Sequence, residues 1–467
     1  MSTTQLDQAL SFAESRQTEN LAQLKDLLRI PSVSTQPTHN ADMYKAANWL
    51  AEAMRTAGLE NIEIIDSAVG RHPLIYADWL HAPNAPTVLI YGHFDVQPPD
   101  PIELWDTPPF EPTVRGDRLY ARGACDDKGQ AYIHIKAVEA YLQTSGTLPI
   151  NVKFIYEGEE EDGGATLSDY LPKHTEKLAA DIALISDTGI LGPNQPSIIY
   201  ALRGIYYDFI DLTGPSHDLH SGGYGGAINN PLNALGHILA KLKDEEGHIL
   251  IPGFYDDVRE LGDEERAMLN QLPITEEAYL SRTGAPAIWG EPEYTLVERL
   301  GARPTLDVHG IIGGYTGAGG KTVLPSSVHC KISMRLVPDQ DPEKIKQLFR
   351  DYVRQITPPS IKVSFGEDGH GAPASITDYT IPAMQAARDA YTAVFEVEPL
   401  LARNGGSIPV VGEFQTVLGL ESILMGFGLP DDRIHSPNES FYLPNFYRGI
   451  KTAIHFLHNY AQLEVGQ

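Results

Sequence analysis

The sequence predicts an α/β chain interrupted by a smaller α+β layer domain, and three observations carry that reading. Short strand-like runs, mostly apolar, at 62–65, 74–77, 88–91, 152–156, 182–186 and 423–427 have the length and residue types of buried strands. Helical stripes lie around them at 5–29, 41–58, 131–142, 382–395 and 443–460. Between them the pattern changes. Alternating strands at 206–212 and 328–337 accompany amphipathic helices near 231–243 and 342–356. That combination places a layered insertion at 205–376 and leaves 1–204 and 377–467 as the larger domain.

Bulk properties narrow the function classes. A length of 467 residues suffices for two or three domains, and 42% hydrophobic with 21% charged residues describes an ordinary globular chain. A net charge of −27 argues against nucleic acid or an anionic membrane as partner. The two cysteines, Cys125 and Cys330, read as reduced thiols in a reducing compartment. The first twenty residues carry Asp7 and Glu14 and no apolar signal core, and no run approaches eighteen apolar residues. The expectation is a cytoplasmic protein.

In chain order, the first stripe carries Leu21, Leu24, Leu27 and Leu28 and ends before Pro31; the second carries Met43, Ala47, Leu50, Ala51 and Met54. Residues 97–118 are rich in proline and acids, with Trp105 and Phe110 as anchors, and read as a long ordered loop. The acidic segment 245–300 is weakly patterned and receives no placement. Residues 313–322 resemble a phosphate loop, but the Walker spacing needs a glycine where Tyr315 stands. A glycine-rich loop touching substrate is the better reading. Asn438-Glu439-Ser440 fits a glycosylation acceptor, idle without a secretory route.

The chemistry gathers at strand ends. After the apolar run 88–91 the backbone leaves at Gly92, and His93 and Asp95 fall on one side of an extended chain. That spacing suits a metal-binding imidazole held by a carboxylate. Asp126 and Asp127 stand at a helix entrance, where simple capping is the competing reading. Positions 157–162 hold five acids between a strand and two glycines, so the carboxylates converge and repel unless cations offset them. Asp187 ends the run 182–186, and His435 lies in the loop 431–439. The carboxyl ends of strands are where open α/β sheets bind ligands. His93, Asp126, Glu161, Asp187 and His435 suit zinc, manganese or cobalt, with histidine arguing against magnesium. Were one carboxylate to bridge two ions, the pair would generate hydroxide near neutral pH. Glu160 would then be left over as general base.

Five segments in this order resemble the aminoacylase/carnosine-dipeptidase family of dinuclear metallopeptidases. They are Gly92-His93-Phe94-Asp95, Gly123-Ala124-Cys125-Asp126-Asp127-Lys128-Gly129, Glu157-Gly158-Glu159-Glu160-Glu161, Ser186-Asp187 and Ile434-His435-Ser436. Asp218-Leu219-His220-Ser221-Gly222, Lys321-Thr322-Val323-Leu324-Pro325, Met334-Arg335-Leu336-Val337-Pro338 and Gly405-Gly406-Ser407-Ile408-Pro409 are similar to its cytosolic nonspecific dipeptidase branch.

The resemblance implies a mixed-sheet α/β/α metallopeptidase domain with an inserted ferredoxin-like lid and dimerisation domain. It implies two divalent ions per chain, zinc first, with manganese and cobalt as alternatives. His93 and Asp187 would hold one ion, Glu161 and His435 the other, and Asp126 would bridge them across a cis bond to Asp127. Asp95 would orient His93, Glu160 would be the base, and His220 would reach the neighbouring protomer's site of a homodimer to stabilise the oxyanion. Arg335 would bind the substrate's terminal carboxylate, with His370, Thr322, Gly406 and Ser407 as further contacts. Asn404 stands where close dipeptidases often have a glutamate before Gly-Gly-Ser-Ile-Pro.

The expected activity is metal-dependent hydrolysis of dipeptides or short peptides with a free C-terminal carboxylate. An N-acyl-amino-acid deacylase on the same metals is the alternative, and a catalytically silent peptide-binding protein a more distant one.

Overall fold

The apolar run at 88–91 folds as the strand Thr87–His93, buried along nearly its whole length. The structure, a computed structural model, describes residues 3–366 and 370–463. Thr87–His93 runs parallel to Asn151–Glu157 on one side and to Ile182–Ile185 on the other, and Ser422–Leu424 continues the parallel set. Antiparallel strands complete a mixed sheet: Leu74–Trp79 and Glu60–Ile65 at one end, Ser197–Leu202 at the other. Because the four central strands are parallel, their carboxyl ends open on one edge. The site residues are delivered to that edge.

Helix Lys128–Ser145 is buried almost all round, packed by Thr3–Ser15, Asn40–Ala57 and Leu443–Tyr460 and seated on Thr87–His93. A Cβ at Gly92 would lie 2.7 Å from the Ala131 Cβ, so glycine is what lets this helix approach the strand.

Two expectations for this part need correction. The single helix at 5–29 is two, Thr3–Ser15 and Gln17–Leu28, because Arg16 leaves helical geometry (φ −102°, ψ 9°) and each half packs separately on Lys128–Ser145. The loop 97–118 contains the strand Thr113–Arg115, which joins Arg118–Tyr120 and Ser440–Tyr442 in a small antiparallel sheet. Three-residue strands carry no readable periodicity.

The chain forms two units: Met1–Tyr200 with Thr377–Ala402 and Glu413–Gln467, and Ala201–Ile376 with Arg403–Gly412. The expected boundaries differ at 201–204, which falls in the inserted unit, and at 403–412. That segment joins the inserted unit, since Arg403 pairs with Glu265 and Ser407 with Arg335.

The inserted unit is antiparallel throughout, in the order Thr305–Gly313, Ser327–Leu336, Gly204–Thr213, Lys362–Phe365. With helices Pro231–Leu242 and Pro342–Ile356 it follows the β-α-β-β-α-β order of ferredoxin-like folds. Ile210, Leu235, Ile238, Ile332, Phe349 and Val353 lie in its core. Sequence periodicity found the two central strands and missed the outer pair. The residues of Thr305–Gly313 are mostly exposed and show no hydrophobic alternation. The unplaced stretch 245–300 supplies short helices, Asp263–Leu269, Glu276–Thr283 and Leu296–Gly301, the last opened by a Thr295/Glu298 capping box. Among the described residues, no helix is long and apolar enough to cross a membrane.

Candidate active site

His93 closes its strand with a fully buried imidazole. Its Nδ1 lies 3.3 Å from Asp95 Oδ1 and 3.2 Å from the Asp95 carbonyl, which leaves Nε2 facing Asp126 Oδ1 at 3.0 Å and Asp187 Oδ2 at 3.9 Å. Asp95 has a second task. Its carboxylate accepts the backbone N–H groups of Glu160 (3.2 Å) and Glu161 (3.0 Å), so one buried side chain orients the imidazole and anchors the acidic turn.

The other oxygen of Asp126 lies 2.9 Å from His435 Nε2, which is 3.1 Å from Glu161 Oε1. Two triplets therefore share one aspartate: His93, Asp126 and Asp187, and Asp126, Glu161 and His435. In each, one potential ligand atom per residue lies within 4.8 Å of the others. The five residues expected to hold metal converge. The peptide between Asp126 and Asp127 is cis.

The electrostatics is that of crowded, desolvated acids. Burial pushes Asp187 well above the ordinary carboxylate range, and Asp126 adds to the shift. Burial likewise moves Glu160 up to about 7, reinforced by Glu161, Asp95 and Asp126 and opposed by His93. Burial would raise Asp126 too, but the imidazoles of His435 and His93 hold it below its usual value. Burial would lower His93, yet Asp126, Asp95 and Asp187 keep it well above normal. His435 is raised to about 10 by Asp126 and Glu161. Buried acids facing only two imidazoles lack positive charge, and divalent cations would supply it. The donor set, two imidazoles and three carboxylates, fits borderline divalent ions.

Several residues support the site in ways their sequence reading did not assign. Glu439 is fully buried and accepts from the backbone N–H of Gly123, Cys125 and Asp126 (3.0–3.2 Å) and from Arg122 Nη1 at 2.7 Å. It shapes the loop that presents Asp126. Its neighbour Asn438 accepts from Asp106 N and donates to the Leu104 carbonyl, so the residue that fits a glycan acceptor is a buried clamp on the loop 97–118. Glu159 accepts from Arg71 Nε and from the backbone N–H of His72 and Thr166, holding the acidic turn from behind. Asp127 accepts the His93 N–H at 3.2 Å. Bonds spanning dozens to hundreds of residues leave no local signature.

The second unit carries the remaining candidates. Arg335 Nη1 donates to Ser407 Oγ at 2.8 Å, which brings these two together. His220 and Thr322 also meet: Leu219–His220 pairs with Val323–Leu324, and the Ser221 N–H donates to the Thr322 carbonyl. His220 is exposed, and its Nδ1 accepts from Gly222 N and Gly223 N. An accepting Nδ1 fixes the neutral ring as the Nε2–H tautomer, a donor pointing out of its own loop. Gly406 N donates to Asn404 Oδ1 at 2.9 Å, so Asn404 closes the turn that a glutamate was expected to precede. His370 starts the strand His370–Ala372, and its side chain lies outside the described residues.

Two carboxylate–imidazole triplets joined by a common aspartate at the edge of a parallel sheet suit a pair of metal ions, and the family match makes the chain a metallopeptidase. The chain belongs to peptidase family M20/M25/M40, which matches residues 89–459. It is similar to the Cys-Gly metallodipeptidase dug1 of Schizosaccharomyces pombe, 34% identical over 98% of this chain and 99% of that protein. It is also similar to the Beta-Ala-His dipeptidase of Homo sapiens, 31% identical over 98% of this chain and 93% of that one. Among solved structures, the M20 family metallo-carboxypeptidase Sso-CP2 from Sulfolobus solfataricus superposes with a TM-score of 0.84 at 33% identity, covering 95% of this chain and all of that one.

Proposed function

We propose that this protein hydrolyses the peptide bond of dipeptides and short peptides that end in a free carboxylate, using two divalent ions. The observation that carries the reading is Asp126, whose two oxygens face one imidazole each. His93 and Asp187 would hold one ion, zinc being the proposed metal, and Glu161 and His435 the other, with Asp126 between them. When bound, such ions polarise a substrate carbonyl and make water acidic enough to react near neutral pH. The chain's own residues do the rest. Glu160, desolvated and with its pKa raised to about 7, takes the attacking water's proton in its ionised form and passes it to the leaving amine. Asp95 keeps His93 in one orientation. His220 offers Nε2–H to the developing oxyanion, and Arg335, steadied by Ser407, pairs with the terminal carboxylate. Thr322 and Gly406 would be further substrate contacts, and His370 another by the family resemblance.

A homodimer through the inserted unit is part of the proposal. It is supported by the edge strand Thr305–Gly313, where Ile311 is 50% and Ile312 63% exposed at the end of the sheet. Two free cysteines agree with a cytoplasmic, reducing location.

The test is metal analysis followed by a panel of dipeptides and N-acyl amino acids, with zinc, manganese or cobalt restored to stripped protein. Turnover of dipeptides only after metal return is the expected result. Faster turnover of N-acyl amino acids would replace this reading with a deacylase. The uncharged, engaged Asn404 side chain makes that arm necessary, because it offers no anion to a substrate's amino group.

A further inference from the structure

The segment 245–300 is acidic, yet together with the strand ends beside it, it encloses a cationic cavity. The cavity is about 300 Å³ and lies wholly within the second unit, a size typical of small-molecule sites. Tyr279, Ile288, Trp289 and Leu296 contribute an apolar and aromatic wall. Its charged lining is Arg203, Lys243, Arg299, Arg303, Glu291 and Asp307: four cations against two carboxylates, in a chain with net charge −27.

The two carboxylates serve only some of those cations. Glu291 is taken by Arg303 and by the Tyr255 hydroxyl. Asp307 stands 3.7 Å from Lys243 Nζ. Arg203 donates to carbonyls, those of Gly405 (3.1 Å), Arg303 (3.2 Å) and Arg299 (3.5 Å). Arg299 donates through Nε to the Glu291 carbonyl at 2.8 Å. Neither arginine has a carboxylate ion-pair partner among the described residues. Burial, with Arg335 nearby, lowers the Arg203 pKa to about 10 against the opposing pull of Asp307 and Tyr279. A desolvated guanidinium with no carboxylate in direct contact is costly, and an anion placed against it in the cavity would relieve that cost.

We propose that this cavity binds a small organic anion, a carboxylate or similar acid group carried on an apolar or aromatic body. The acid would sit between Arg203 and Arg299, with Lys243 in support, and the body against Trp289 and Tyr279. Charge and shape would both be read. Inorganic phosphate satisfies the first without the second, and a neutral aromatic amide the second without the first.

The test must separate this cavity from the Arg335–Ser407 pair, because the Arg203 carbonyl accepts the Ser407 hydroxyl and links the two. Phenylacetate, phenylacetamide and inorganic phosphate are titrated into the full chain and followed by ligand-observed NMR and by tryptophan fluorescence. Trp289 is one of four tryptophans, and Trp289→Phe identifies its share of the signal. Phenylacetate is expected to bind saturably and about tenfold or more tighter than either control, since a charge-assisted hydrogen bond distinguishes it from the amide. Arg299→Gln is expected to weaken it by a similar factor, while Arg335→Gln leaves binding intact. Three results would overturn the proposal: no saturable binding, equal affinity for the amide, or loss of binding in Arg335→Gln with none in Arg299→Gln.

Discussion

The loops that present the candidate metal residues and the loops that present His220, Thr322 and Ser407 use similar residue types, but they are held differently. In the first unit Asp95, Glu159 and Glu439 are fully buried and accept seven backbone N–H groups. That many ties are needed because Asp126, Glu160, Glu161 and Asp187 repel one another and would splay an unsupported loop. In the second unit His220, Thr322 and Asn404 are exposed, and their bonds mostly close their own turns. The difference teaches where preorganisation is required: like charges must be clamped before any cation arrives, whereas groups proposed to meet a substrate can rest on lightly tied turns.

The comparison breaks first if Glu160 is not the working base of the clamped side. Glu160→Gln keeps shape and leaves the five metal-facing residues in place, so turnover should fall by about 10²–10⁴ while metal content stays unchanged. Steady-state kinetics alongside elemental analysis of the same sample decides it. Substantial residual activity, or lost metal, removes the assignment.

The clamp itself is tested next. Glu439→Ala leaves the buried Arg122 without its partner and three backbone N–H groups without an acceptor. Denaturant unfolding should show a loss of about 3–5 kcal/mol, with weaker metal retention because the Asp126 loop is freed. A loss below about 1 kcal/mol would mean the loop holds itself.

A smaller effect concerns pH. His134 is buried on the helix behind the site and bonded to Ser186 Oγ at 2.7 Å, and burial pushes its pKa down to about 3. The folded state thus keeps it neutral while the unfolded chain takes up a proton near pH 6.5. The stability tied to its neutral form is complete above that pH. It is lost by about 1.4 kcal/mol per pH unit as pH falls from about 6.5 towards about 3. His134→Gln should flatten that part of the stability–pH curve relative to the parent. Parallel curves for the two proteins would show that His134 does not drive the acid limb.

The smallest expected change sharpens the other side of the comparison. His220→Ala removes an exposed ring from a self-contained turn, so stability should move by no more than about 0.5 kcal/mol. Activity should fall far more, through the lost oxyanion donor. A thermal scan that drops with the activity would make His220 a structural residue. If His220 serves a neighbouring protomer, mixing His220→Ala with Glu160→Gln chains under subunit exchange should restore activity that neither has alone.

Much of this site could be read from the chain because its residues punctuate apolar runs. A strand that ends in His93, or one that gives way to the acids at 157–162, announces a polar edge through local composition. Asp187 and Asp126 were readable for the same reason, at the end of a strand and the start of a helix. Glu439 was not, since it acts on Arg122 from 317 residues away and stands in a tripeptide that reads as a glycan acceptor. The outer strands of the inserted unit escaped as well, because exposed or very short strands lack the alternation that burial on one face imposes.

The sequence by itself determined the α/β class, the insertion and the residues that converge on the candidate metal centre. The class and the insertion follow from hydrophobic periodicity. His93, Asp126, Glu161 and Asp187 follow from polar residues placed where elements stop or start, whereas His435, in a loop, is implied by the family resemblance. Only the tertiary structure decided that Asp126 faces both imidazoles, that Asp95 binds the acidic turn as well as His93, and that 245–300 walls a cationic cavity. Each of those depends on distances between segments far apart in the chain. Periodicity says which face of an element is buried, whereas packing decides which element covers it.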